Sequence, residues 1–340
     1  MDFETKLLTE SDIDVAAELI RRGECVAFPT ETVYGLGANA LDAAAVAKIY
    51  AAKGRPSDNP LIVHIHDVRQ LQDLVSELPG AVERLTAVFW PGPLTLVLPK
   101  TPAVPVSVTG GLDTVAVRMP DHPLALAFLR AANLPVAAPS ANISGKPSPT
   151  RASHVWHDLA GRIPAIIDGG ETGWGVESTV LDCTCQPFRV LRPGAVTVEQ
   201  LQAYVAVELD PDLEVQAPER PRSPGLKYKH YSPEAQVVLV TGSRVQERIQ
   251  EELRRQQQAG VKTAVMAFTE TQAEYGDVPI LDLGSKQNLQ QAASRIYHLL
   301  RKADHQGFEL VFVEGVEDED LGRTIMNRLA KAAGPNVIRT

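Results

Sequence analysis

The chain is poor in cysteine, in long apolar runs and in positive charge, and each shortage removes a class of protein. Three cysteines among 340 residues, Cys25, Cys183 and Cys185, are too few and too odd in number for a disulfide framework. Cys183-Thr184-Cys185 resembles half a metal site, but no second pair or nearby histidine completes a tetrahedral set, so ordinary buried or half-buried thiols are expected. No apolar run approaches the roughly 20 residues of a membrane-spanning helix. The stretch Met1–Lys6 lacks the basic-then-apolar order of a secretory signal, so a cytoplasmic protein is expected. A net charge of −9 works against a protein that grips nucleic acid through a general positive field, and weak or no direct binding follows. Phosphates, if bound, must meet a local cationic pocket. There is also no Gly-x-x-x-x-Gly-Lys-Ser/Thr phosphate loop and no Gly-x-Ser-x-Gly nucleophile elbow.

What is present is an ordinary globular composition, 44% hydrophobic and 22% charged, on a chain long enough for two domains. An amphipathic helix is expected over residues 13–20, a buried strand over 24–29, a glycine- and threonine-rich loop over 30–39 and a helix over 43–52. Further strands are predicted at 61–65, 94–98, 114–118, 136–138, 165–168, 178–182 and 188–192, which together imply an α/β domain with a twisted mixed sheet. From 207 to 234 the pattern dissolves into a proline-rich stretch carrying Arg220, Arg222, Lys227 and Lys229, read as an extended segment. Strands at 236–240, 263–268 and 310–313 then alternate with helices at 245–258, 288–304 and 323–333. That alternation predicts a smaller, doubly wound, Rossmann-like α/β domain.

Taken singly, the candidate site residues are ambiguous. Gly35-Leu36-Gly37-Ala38-Asn39-Ala40 fits a loose dinucleotide fingerprint, but Lys53 and Arg55 stand where a ribose-binding acid is needed, and glycines for a tight turn are the simpler reading. Lys53-Gly54-Arg55-Pro56-Ser57-Asp58-Asn59-Pro60 sets two cations on a stiffened loop, which suits polyphosphate; a solvated turn paired with nearby acids fits equally. His64 and His66 share one face of a strand, one expected to line a pocket and the other to be half-exposed. Pro139-Ser140-Ala141-Asn142 follows a strand, where α/β folds place ligand crevices, and an ordinary polar loop is the alternative. The residues by themselves lead to an α/β enzyme with a cationic, hydroxyl-lined nucleotide pocket, and no further.

Together the motifs say more. Pro29-Thr30-Glu31-Thr32-Val33-Tyr34-Gly35-Leu36-Gly37, Lys53-Gly54-Arg55-Pro56, Asn59-Pro60-Leu61-Ile62-Val63-His64, Trp90-Pro91-Gly92-Pro93-Leu94-Thr95, Val117-Arg118-Met119-Pro120, Ala138-Pro139-Ser140-Ala141-Asn142 and Leu191-Arg192-Pro193-Gly194 occur in order. This set resembles the L-threonylcarbamoyladenylate synthases of the longer, two-domain form. Ser223-Pro224-Gly225-Leu226-Lys227-Tyr228-Lys229-His230-Tyr231-Ser232-Pro233 resembles that form's interdomain linker. The resemblance implies a YrdC-like catalytic domain over 1–207 with a concave positive cavity, a basic linker over 208–234 and a C-terminal domain over 235–340. It implies synthesis of threonylcarbamoyl-AMP and pyrophosphate from L-threonine, bicarbonate or CO2, and ATP with magnesium, feeding a transfer machinery that modifies tRNA. Thr32, His64, Arg118, Ser178 and the backbone at Ala138 would contact threonine. Arg55, Asn59, Thr114, Ser140, Ser148, Arg192 and Tyr231 would hold ATP, with Lys53 adding charge near the phosphates. No protein nucleophile or protein metal ligand is implied, and Lys227–Tyr231 is expected to close over the cavity.

Overall fold

The structure, a computed structural model, describes residues 3–214 and 231–340. Residues up to 214, apart from Gly145–Pro147 and Trp174–Val176, form one compact unit; those two segments and residues 231–340 form a second. Most of the expected linker, including Arg220, Arg222, Lys227 and Lys229, lies outside the described residues.

The first unit is built on eleven strands: β1 (Lys6–Leu8), β2 (Val26–Phe28), β3 (Gly35–Asn39), β4 (Ile62–His64), β5 (Leu94–Pro99), β6 (Thr114–Arg118), β7 (Val136–Ala138), β8 (Ala165–Ile167), β9 (Thr179–Asp182), β10 (Phe188–Arg192) and β11 (Val207–Leu209). They form one mixed sheet in the order β1-β8-β2-β3-β7-β4-β6-β5-β9-β10-β11. The last strand pairs parallel to β10, so regular structure runs on past residue 207, and a short 3-10 turn follows at Pro211–Glu214.

The loop expected over 30–39 is only half a loop. Gly35–Asn39 is a strand, antiparallel to β2 on one side and β7 on the other. Its glycines serve proximity rather than a turn: a methyl on Gly37 would lie 2.6 Å from Val136 Cγ1 and 2.9 Å from Phe28 Cε1. A strand that must admit an aromatic ring this closely gives up its side chains, and its composition then imitates a loop.

Alternation along the central strands divides the sheet into two faces. Val63, Leu94, Leu96, Leu98, Val115, Val117, Leu181 and Val190 point to the main core. The opposite face is treated differently along its width. Near β2, β7 and β8 it is covered by the helices Ile13–Arg21 and Pro123–Ala132, which pack on Val26, Phe28, Val136 and Ala165. Over β4, β6, β5, β9 and β10 it carries a small apolar cluster, Ile62, Val97, Ala116, Val180 and Leu191, and beside it the polar groups described below.

The second unit is a five-stranded parallel sheet: β12 (Gln236–Thr241), β13 (Thr263–Phe268), β14 (Ile280–Gly284), β15 (Leu310–Glu314) and β16 (Val337–Arg339), ordered β14-β13-β15-β12-β16. Both faces are buried, as a parallel sheet requires: Val240, Val265 and Phe312 on one, Leu239, Met266 and Val313 on the other. Its buried Glu314 carboxylate accepts hydrogen bonds from Gln246, the Phe268 backbone, Thr271 and Tyr275.

Candidate active site

The sheet register collects the polar groups. On the parallel neighbours β4 and β6, His64 pairs with Arg118, and cross-strand partners share a face. Thr95 on β5 pairs with Val180 on β9, which in turn pairs with Arg192 on β10. Arg192 reaches this face only because of a bulge. Val190 faces the main core, Leu191 is the extra residue, and the register shift between Val190 and Arg192 turns the guanidinium onto the face of Val180. Bulges re-aim side chains in this way.

Two buried guanidinium groups anchor the cluster. Arg118, 3% exposed, donates from Nε to Gly92 O at 3.2 Å and from Nη1 to Thr32 Oγ1 at 2.9 Å. Its Nη2 lies 2.5 Å from Glu31 Oε2 in a buried ion pair. Glu31 and Thr32 sit on the Thr30–Val33 turn, which Thr30 Oγ1 fixes by donating to Val33 O at 2.7 Å. Arg192 donates from Nε and Nη2 to Ser178 O at 3.1 and 2.9 Å and from Nη2 to Ser178 Oγ at 3.2 Å. Ser178 Oγ also shares a hydrogen bond with Thr95 Oγ1 at 2.7 Å. The Ser178 hydroxyl is thus held between Thr95 and Arg192. Gly194 lets the strand end fold under Ser178: a methyl there would fall 2.2 Å from Thr179 N and 2.4 Å from Ser178 C.

His64 is buried beside Arg118 and stands edge-on to Phe28, with ring centroids 5.6 Å apart. Burial first, and then the Arg118 charge, lower its pKa to about 3, so its ring is neutral at physiological pH. His66 is half-buried, as expected of the second histidine of the pair.

The remaining predicted residues stand at element ends and in loops. Lys53 ends the helix Ala43–Lys53, which Gly54 terminates at φ +60°. The lysine is 1% exposed and donates from Nζ to Ser140 O and Asn142 O, both at 2.5 Å. It thereby holds the Ser140–Asn142 turn, where Ser140 Oγ donates to Asn142 Oδ1 at 2.5 Å. Ser140 also bridges to Gly35, and Ala138 pairs with Ile62. Arg55 Nη2 reaches Asn59 O and Pro60 O at 3.4 Å. Asn59 is 1% exposed, and neither of its amide atoms has a hydrogen-bond partner among the described residues. A buried polar group left in that state costs about 1–3 kcal/mol, which marks it for a ligand. Thr114 opens β6, half-buried, and Ser148 Oγ donates to Glu177 Oε1 at 2.6 Å. Tyr231 belongs to the second unit, where it stacks on Tyr297 at 5.1 Å.

Glu31, Thr95 and Glu177 were not singled out as site residues in the sequence. Glu31 lies inside a quoted motif, so position was its only signal; its partner is 87 residues away in the chain. Cys25 and Cys183 are buried and Cys185 half-buried, and none of them forms a disulfide among the described residues. Among the described residues no helix is long and apolar enough to cross a membrane.

Fold and site thus define an α/β protein with a buried, preorganised cationic face for anions. Comparison with known proteins agrees. The Sua5–YciO–YrdC family, described as telomere recombination, matches residues 18–194, and the threonylcarbamoyl-AMP synthase C-terminal domain matches residues 196–334. A threonylcarbamoyl-AMP synthase of Bacillus subtilis is 51% identical over 97% of this chain and 95% of its own. One of Pyrococcus abyssi is 47% identical over 98% of this chain and 97% of its own. The crystal structure of Pyrococcus abyssi Sua5 complexed with L-threonine superposes with a TM-score of 0.94 at 46% identity, covering 99% of this chain and all of that one. The chain belongs to the threonylcarbamoyl-AMP synthase family, in its two-domain Sua5 form.

Proposed function

We propose that this enzyme condenses L-threonine, bicarbonate and ATP into threonylcarbamoyl-AMP and pyrophosphate, supplying the threonylcarbamoyl group for tRNA modification. The observation that carries the reading is the pair of buried guanidinium groups on one sheet face, each already fixed by hydroxyl and carbonyl partners. Arg118 suits the threonine carboxylate, because its planar fork takes two oxygens. Neutral His64 and Thr32 lie beside it, and Ser178 offers a hydroxyl from the other side. Arg192, Arg55, Asn59, Thr114, Ser140 and Ser148 would receive the nucleotide.

The chemistry needs no protein nucleophile. The threonine amine bonds to the carbon of bicarbonate or CO2, the carbamate oxygen bonds to the α-phosphorus, and pyrophosphate leaves. Fixed guanidinium dipoles and charges stabilise the carbamate and the developing phosphate charge without reorganising, which is where most of the acceleration arises. Magnesium fits the donors present. The Glu177 carboxylate and Ser148 hydroxyl are hard oxygen groups of the kind a magnesium ion takes beside phosphate and water. Bound on the ATP phosphates, it would neutralise charge on the leaving pyrophosphate. Pyrophosphate release that requires both L-threonine and bicarbonate tests the reading; release unchanged after rigorous removal of bicarbonate refutes it.

A further inference from the structure

Glu31 has no part in the reading above, yet it is built into the site. It is 9% exposed, it pairs with Arg118, and apart from that ion pair neither of its oxygens has a hydrogen-bond partner among the described residues. A buried carboxylate ordinarily collects several donors, because desolvation is costly without them. Here the remaining lone pairs are open to a donor beyond the described residues, and a bound ligand can supply it. His122 also lies near enough for the Glu31 charge to raise its pKa against the larger, opposing effect of burial. The buried Nδ1 of His122 likewise has no partner among the described residues.

An α-amino acid carries its ammonium on the carbon that bears its carboxylate. A carboxylate docked on Arg118 therefore brings an ammonium next to whatever else Arg118 holds, and Arg118 holds Glu31. Two carboxylates on one guanidinium repel each other, and an ammonium between them removes the repulsion.

We infer that Glu31 receives the ammonium group of threonine and takes a proton from it before the carbamate forms. The inference rests on the reading that threonine is the substrate and Arg118 its carboxylate anchor. The ammonium N–H bond breaks and its proton passes to a Glu31 oxygen, leaving the nitrogen lone pair free. That pair bonds to the bicarbonate carbon; the carbon–hydroxyl bond breaks, and the hydroxyl leaves as water with the second amine proton. The products are the carbamate, water and a protonated Glu31, which returns its proton to solvent.

The test compares two ligands on the full chain by calorimetry: L-threonine, and 2,3-dihydroxybutanoate, which has a hydroxyl in place of the ammonium. The natural chain should bind threonine at least about tenfold more tightly than the analogue, the scale of a charge-assisted hydrogen bond. Glu31→Gln should lose that preference by weakening threonine alone. Its bicarbonate-dependent turnover should fall and then recover with rising pH as free amine accumulates. If Glu31→Gln weakens both ligands equally and its pH profile is unmoved, Glu31 only positions Arg118 and the inference is wrong. Should that variant not fold, Glu31→Asp keeps the charge and should keep the preference. Equal affinity of the natural chain for the two ligands overturns the inference without any variant. A natural chain that binds no threonine at all overturns the substrate reading, and this inference with it.

Discussion

Arg192→Ala removes the group that ties Ser178 in place, and its cost divides between folding and turnover. In the folded state Arg192 makes three hydrogen bonds to Ser178, two to the carbonyl and one to the hydroxyl. Losing them leaves a buried carbonyl without these donors, a cost of about 1–3 kcal/mol against a stability of about 5–15 kcal/mol for an ordinary domain. The variant should fold, with a lower denaturation midpoint. If the same charge faces the nucleotide, as proposed, turnover suffers more: loss of one preorganised group on developing charge costs about a hundredfold, or roughly 2.7 kcal/mol. Because Ser178 also drifts, the threonine KM should rise as well. Arg192→Lys keeps the charge but not the fork, and should fall between the two. Threonine- and bicarbonate-dependent pyrophosphate release, measured alongside urea unfolding, separates the contributions. Near-normal release by a folded Arg192→Ala protein would refute the placement of Arg192 in the site.

Arg55→Ala should likewise reduce turnover about a hundredfold with little effect on the urea midpoint, since Arg55 is only partly buried; unchanged turnover removes it from the site. Gly37→Val should destabilise the first unit by about 1–3 kcal/mol or prevent folding, as overpacking does, and an unmoved midpoint would show that β3 has more room than its neighbours suggest. His64 has a folded pKa of about 3 against 6.5 when unfolded, so the unfolded chain binds the extra proton between those values. Its contribution to stability is complete above pH 6.5 and is lost as pH falls toward 3. His64→Asn should therefore show a smaller drop in urea midpoint between pH 7.5 and pH 5 than the natural chain. A chain ending at Glu214 keeps β11 whole and should fold; if Lys227–Tyr231 closes the site, that chain loses most of its pyrophosphate release, and full activity would make the segment a spacer.

How much of this was legible in the sequence depended on whether a signal was local. The strands at Gln236–Thr241, Thr263–Phe268 and Leu310–Glu314 are short apolar runs, and Val245–Gln258 is a helix with one apolar stripe, so these are readable from neighbours alone, whereas the strands at Ile280–Gly284 and Val337–Arg339 were missed. The strand at Gly35–Asn39 was missed because its small residues answer to Phe28 and Val136, which are distant in the chain. The same holds for the site. The identities of Arg118, His64 and Arg192 come from motifs, but that they share one face follows from register and from a single bulged residue, Leu191. Lys53 reads as a phosphate-binding cation in its loop, and its carbonyl partners at Ser140 and Asn142 appear only in the folded chain.

The Arg192–Ser178–Thr95 linkage has a thermodynamic consequence. One guanidinium, read as nucleotide-facing, fixes the hydroxyl read as threonine-facing, so a ligand that reorients Arg192 changes the free energy of the other site. Such coupling is reciprocal: the factor by which ATP alters the affinity for threonine must equal the factor by which threonine alters the affinity for ATP. The two ligands then bind as a coupled pair rather than independently, and the occupancy of one site sets the affinity of the other.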